Sequence, residues 1–129
     1  MAMNRRSRQG RTAHAIGIAA EDAACAALTA DGWTILARRL RTEAGEVDAV
    51  AEKDGLLAII EVKCRPSLAQ AATALTARQR VRLIGACDLI LARNPGWGRN
   101  GVRFDAIMVD PAGRVRRIAD AFRMGDPPD

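Results

Sequence analysis

The chain has 129 residues, enough to bury one core and too few for two. Hydrophobic residues make up 49% of it, which excludes a disordered class, but only 3% are aromatic, so the core is expected to be aliphatic and rich in close alanine contacts. Twenty basic against fifteen acidic side chains give +5, and the excess lies almost wholly on arginine, whose rigid fork of donors suits phosphate oxygens.

Taken in chain order, residues 1–15 read as a basic flexible arm carrying Arg5, Arg6, Arg8 and Arg11. Residues 16–123 read as a single domain, and 124–129 as a frayed tail. From Gly17 to Asp31, Ala20, Ala23, Ala24, Ala27 and Leu28 recur at helical spacing, and Gly32 ends the run. Glu21 and Asp22 then fall in the first turn, where the helix dipole favours acidic groups. Trp33 to Arg38 reads as a short strand, with Trp33 as its anchor in the core. Glu46 to Ala51 reads as a second strand in which charged and apolar residues alternate.

Asp54-Gly55 is a two-residue hairpin signal. The following run, Leu56 to Ile60, is apolar on both faces, as in a central strand, and ends in Glu61-Val62-Lys63. Pro66 stops it. Thr76 can cap a second helix that runs to about Arg93 with Leu83, Ile84, Cys87 and Leu91 facing inward. Asn94-Pro95-Gly96 terminates that helix, Val102 to Val109 reads as a fourth strand, and Arg114 to Ile118 as a short fifth. The order is α-β-β-β-α-β-β, an α/β fold with a mixed central β-sheet flanked by helices.

The chemistry concentrates where two apolar strands end in charge. Alternation puts Glu46, Asp48 and Val50 on one face of the second strand, and Ile59, Glu61 and Lys63 on one face of the third. A tight turn sets those strands side by side, so Asp48 and Glu61 can meet. Carboxylates at the end of a buried strand are costly unless compensated, and two of them beside a lysine suggest a divalent cation and a phosphate. Mg2+ or Mn2+ fits oxygen ligands of this kind, with Lys63 placed to hold an attacking water or to steady the charged phosphate. A salt-bridge cluster at a sheet edge is the plainer alternative. His14, the lone histidine, falls in the arm and is set aside as a base.

Asp48, a twelve-residue gap and Glu61-Val62-Lys63 resemble the D…ExK signature of the PD-(D/E)xK nuclease superfamily. The wider series is Gly17-x-x-Ala20-Glu21, Gly45-Glu46-Val47-Asp48, Glu61-Val62-Lys63-Cys64-Arg65 and Arg103-Phe104-Asp105. It is similar to the YraN family of small bacterial endonuclease-like proteins, related to Holliday junction resolvases, across roughly Gly17 to Phe122. The resemblance implies a restriction-endonuclease-like fold, with Asp48, Glu61 and Lys63 as catalytic residues. It implies Asp48, Glu61, the Val62 carbonyl and Glu21 as metal ligands, Mg2+ or Mn2+ as cofactor, and DNA as partner. Val47 stands where the superfamily has proline. Gln79 stands near a position often occupied by lysine in the family, so Arg78 or Arg82 is expected to take over contact with nucleic acid there. The basic arm would add phosphate affinity without reading sequence.

The expected activity is therefore metal-dependent endonucleolytic cleavage of DNA, and the likeness to junction resolvases implies branched or damaged substrates. The alternative is a nucleic-acid-binding or partner-docking module with this fold and little chemistry. A chain this small offers limited surface to a duplex, so a homodimer or larger complex is one expected arrangement. Cys25, Cys64 and Cys87 lack metal-ligand spacing and read as small hydrophobes in a reducing compartment. With no apolar span and no signal-peptide pattern, the expected location is cytoplasmic. Arg103 with Asp105 reads as a structural ion pair, and Trp97, between two glycines, as a candidate for contact.

Overall fold

A computed structural model describes residues 5–68 and 75–124, with side chains from residue 13 onward. Helix α1 spans Arg5–Ala30, strands β1, β2 and β3 span Thr34–Thr42, Gly45–Lys53 and Leu56–Cys64, helix α2 spans Ala77–Arg93, and strands β4 and β5 span Val102–Val109 and Val115–Phe122. The expected order of elements holds.

The five strands lie in one sheet in chain order, β1-β2-β3-β4-β5. Neighbours pair antiparallel except β3 and β4, which run parallel. Parallel neighbours need a crossover, and α2 supplies it. The Asp54-Gly55 turn joins β2 to β3 with φ of 52° and 80°, the positive values that a twist-matched two-residue hairpin requires. Asn100 ties the next loop onto that turn by donating its side-chain N–H to the Asp54 carbonyl at 2.5 Å.

The helices cover opposite faces. Ala20, Ala24, Cys25 and Leu28 of α1 pack with Trp33, Ala49, Ala51, Ala58, Ile60 and Ile107. Leu83, Ala86, Cys87 and Ile90 of α2 pack with Val47, Val50, Leu57, Ile59 and Phe104. Leu57 to Ile60 are all fully buried because both faces of β3 are covered. Alanine on the α1 face lets that helix sit close to the sheet. Thr76 and Gln79 form a reciprocal capping box that fixes the start of α2.

Two boundaries differ from the sequence reading. Helix α1 reaches back to Arg5, so most of the expected arm is helical backbone. Arg, Gln and Ala are good helix formers and no proline interrupts the stretch. The side chains of Arg5, Arg6, Arg8 and Arg11 lie outside the described residues, as does the tail from residue 125. Strand β5 runs on to Phe122 rather than stopping at Ile118, because a register shift opposite Phe104 and Ala106 absorbs the polar Asp120 and brings Phe122 onto Phe104 with ring centroids 4.5 Å apart.

Of the cysteines, Cys25 and Cys87 are buried as expected. Burial pushes both thiols up, Cys87 to about 11. Cys64 is exposed, which corrects its assignment to the core. Trp33 is buried beneath the guanidinium groups of Arg103 and Arg117, at 5.2 and 5.3 Å from its ring. Trp97 is half-buried against the α2-side core.

Candidate functional site

Strands β2 and β3 pair from Lys53↔Leu56 as far as Ala49↔Ile60 and then part. Asp48 is the next residue on β2. Its carboxylate takes up where the ladder stops, accepting the Val62 amide N–H at 2.7 Å. In a strand the N–H and C=O of one residue point to the same side, so the Val62 carbonyl also faces the Asp48 side.

Strict alternation breaks here, which corrects the expected grouping of Glu46, Asp48 and Val50 on one face. Val47 and Val50 both belong to the α2-side core, whereas Ala49 and Ala51 belong to the α1 side. On β1, Arg38 pairs with Ala49 and Leu40 with Val47, so Arg39 stands across from Asp48. Arg39 has φ 50°, an uncommon value for a non-glycine residue. Its guanidinium turns to α1 and donates to Glu21 at 2.6 Å.

Glu61 is nearly dry, with its side chain 9% exposed. Lys63 lies 3.5 Å from its Oε1, and Arg82 of α2 donates to its Oε2. Gly45 makes that reach possible, since a Cβ there would meet the Cγ and Cδ of Arg82 at 2.6 Å. Asp48 is pushed up to about 6, first by burial and then by the neighbouring carboxylates of Glu61, Glu21 and Glu46, against the opposing Val62 N–H. Glu21, Glu46 and Glu61 each pair with an arginine, and Glu61 with Lys63 as well, whereas among the described residues Asp48 has only the Val62 N–H.

The residues expected as catalytic and as metal ligands gather at one place, together with one of those expected to contact nucleic acid. Asp48, Glu61, Lys63 and Arg82 meet there, and Glu21 joins from α1. Glu21 lies deep inside α1 rather than in its first turn, so the helix dipole does not account for it. Gln79 spends its side-chain oxygen on the Thr76 backbone N–H, and Arg78 lies at the exposed start of α2.

Sequence reasoning missed Arg39, Arg41 and His14. With Gly17, Glu21 and Glu46 they line a groove of about 450 Å3. The longer helix carries His14 into this groove, which removes the reason for setting it aside. No local signal marks these residues, because they depend on how α1 lies across β1. A second cleft of about 500 Å3, lined by Ile16, Ala20, Cys64, Pro66 and Val109, is apolar and contains none of the clustered carboxylates.

The donor set is all oxygen and fits a hard divalent cation. Asp48, Glu61, Glu21 and the Val62 carbonyl could hold one, if Glu61 gives up Arg82. Among the described residues no three acidic, histidine or cysteine side chains already converge at metal-binding spacing. Asp105, on β4, is a separate matter. It is fully buried, is bonded twice by Arg103 at 2.8 and 2.9 Å, and also accepts the Asp120 amide N–H. That is the structural ion pair expected for it.

A mixed sheet between two helices, with a carboxylate–lysine cluster where two central strands part, defines an α/β protein with a polar site at its strand ends. The model of the uncharacterised protein family UPF0102 matches residues 20–109. A UPF0102 protein of Granulibacter bethesdensis is 59% identical over 118 residues, covering 92% of this chain and 75% of that protein. One from Azorhizobium caulinodans is 50% identical over 117 residues, covering 91% and 89%, and one from Rhodopseudomonas palustris is 42% identical, covering 82% of each. The chain belongs to the UPF0102 family, which supports the YraN-like resemblance. Among the described residues no helix is long and apolar enough to cross a membrane.

Proposed function

We propose that this protein is a divalent-cation-dependent nuclease that hydrolyses phosphodiester bonds of DNA, with branched or damaged duplexes as its substrates. One observation carries the reading: Asp48 bonded to the backbone of Val62, beside a buried Glu61 that pairs with Lys63. A purely structural ion-pair cluster would be expected to give buried Asp48 a cation too, yet among the described residues only Glu21, Glu46 and Glu61 have one.

Asp48, Glu61, Glu21 and the Val62 carbonyl would hold Mg2+ or Mn2+, which when bound supplies Lewis acidity and an acidified water. The Val62 N–H fixes the Asp48 carboxylate in place. Lys63, with a side chain only 13% exposed, keeps its ammonium beside Glu61 and can steady a water or a phosphate oxygen. Arg78 and Arg82 of α2, with the arginines early in α1, would grip the backbone without reading sequence.

The purified protein is expected to nick branched DNA with Mg2+ or Mn2+, and to do so more readily than linear or single-stranded DNA. Asp48→Ala, Glu61→Ala and Lys63→Ala should each abolish that activity. Absence of cleavage of all three substrates with either metal would overturn the proposal.

A second reading is a nucleic-acid-binding or partner-docking module. Both oxygens of Glu61 are engaged, by Arg82 and Lys63, which favours it. On that reading DNA binds without being cut, and Mn2+ leaves stability unchanged.

A further inference from the structure

The two carboxylates that flank Asp48 each have an arginine from another element as partner. Arg82 comes from the α2 side to Glu61, and Arg39 of β1 turns to the α1 side to meet Glu21 at 2.6 Å. Both carboxylates are nearly dry, with side chains 9% and 12% exposed, while the arginines keep 33% and 38% of theirs in solvent. Neither pairing is a comfortable end state. Among the described residues, Arg82 Nε is buried with no hydrogen-bond partner, and Arg39 holds a positive φ. Unsatisfied donors and backbone outliers of this kind persist where an arrangement serves more than stability.

We propose that Arg39 and Arg82 are a pair of phosphate-binding residues that exchange Glu21 and Glu61 for phosphate oxygens when a divalent cation takes over those carboxylates. This rests on the metal reading above and assigns Arg39 a role that the sequence did not suggest. Each arginine gives its carboxylate a single N–H, Arg39 through Nε and Arg82 through one terminal nitrogen, so a phosphate with two free oxygens can take up the bidentate pairing that the carboxylates leave unmade. A carboxylate oxygen committed to a guanidinium is a poor ligand for a cation, and two added positive charges repel the arginines. Phosphate then offers both arginines a new partner. Arg39 already lines the groove with Arg41 and His14, where a backbone phosphate can enter.

The consequence is reciprocal coupling. The cation tightens phosphate binding, and phosphate tightens cation binding by the same factor. Removing either arginine removes a competitor for its carboxylate, so metal affinity rises while the coupling falls. A purely structural ion pair predicts the reverse, because its loss loosens the ligands.

The test is calorimetric titration of Mn2+ into the full chain as wild type, Arg82→Gln, Arg39→Gln and Arg82→Lys. A phosphorothioate DNA duplex, which resists cleavage, is then titrated with and without Mn2+. Both glutamine variants are expected to bind Mn2+ about fivefold tighter or more, and in both the metal should tighten DNA binding less than in wild type. Arg82→Lys should fall between wild type and Arg82→Gln. Arg39 is partly exposed on β1, so its variant serves even if Arg82→Gln folds poorly. Unchanged or weaker Mn2+ binding in both glutamine variants, or wild-type coupling in both, would overturn the exchange. Absence of Mn2+ binding in every protein would overturn the metal reading beneath it as well.

Discussion

The Asp48 carboxylate accepts the Val62 amide N–H at 2.7 Å, at the point where β2 and β3 stop pairing. A side chain thus takes over a ladder position, and a buried charge is held where burial and three other carboxylates disfavour it.

That arrangement has a signature in pH. The folded Asp48 ionises near 6, above its ordinary value of 3.8. As pH falls through 6 the native state takes up a proton that the unfolded chain does not, so stability rises until the pH nears the ordinary value, then levels. Asp48→Asn keeps an oxygen for the Val62 N–H and removes the charge. With metal chelated, it should be more stable than wild type at pH 7 by about 1–2 kcal/mol, and the gain should shrink toward pH 5. Urea unfolding across that range reads both. A gain independent of pH would contradict the account.

Asp105 is expected to behave in the opposite way. It is fully buried and answers Arg103, the Asp120 N–H and, at 4.0 Å, Arg117. Asp105→Ala leaves the half-buried Arg103 guanidinium and the Asp120 amide without an acceptor, and should cost about 1–3 kcal/mol in a urea melt. A loss below about 1 kcal/mol would mean that water replaces the carboxylate.

Gly45 links the backbone to the site. Its φ of 136° suits glycine, and a Cβ would strike the stem of Arg82. Gly45→Ala should cost about 1–3 kcal/mol from the backbone strain alone. The steric share should be relieved in the Gly45→Ala, Arg82→Ala double variant, giving a non-additive cycle.

At the N-terminus of α2, a few residues before Arg82, Thr76→Ala removes the acceptor for the Gln79 N–H at 3.1 Å. About 1 kcal/mol of stability should be lost. Because that helix carries Arg82, DNA affinity should fall with it.

What the sequence discloses and what it withholds follow from range. Asp54-Gly55, the buried run Leu56–Ile60 and the Thr76 cap are set by neighbours a few residues away, and each was legible. The association of Asp48 with Glu61 was legible as well, since a tight hairpin leaves two strands little choice. Its detail was not. Alternation assumes an unbroken ladder, and Arg39 with Asp48 breaks it. The reach of Arg82 to Glu61 depends on Gly45 and on Gly85 packing against Ala44, a contact between elements that no local pattern encodes. The start of α1 was hidden for a different reason: an arginine-rich stretch without an apolar stripe reads the same whether it extends a helix or trails from it. Misplacing that start also misplaced His14 and lent Glu21 a dipole explanation it does not need.

The central claim is that Asp48 and Glu61 hold a divalent cation, and thermal unfolding of the full chain during a Mn2+ titration tests it most directly. A ligand bound only by the native state stabilises it by about 2.7 kcal/mol at a hundredfold excess over its Kd. Wild type should show a Tm that climbs with Mn2+, whereas Asp48→Ala and Glu61→Ala should show none of that rise. A wild-type Tm that stays flat through millimolar Mn2+, or a rise that both variants retain, would contradict the claim.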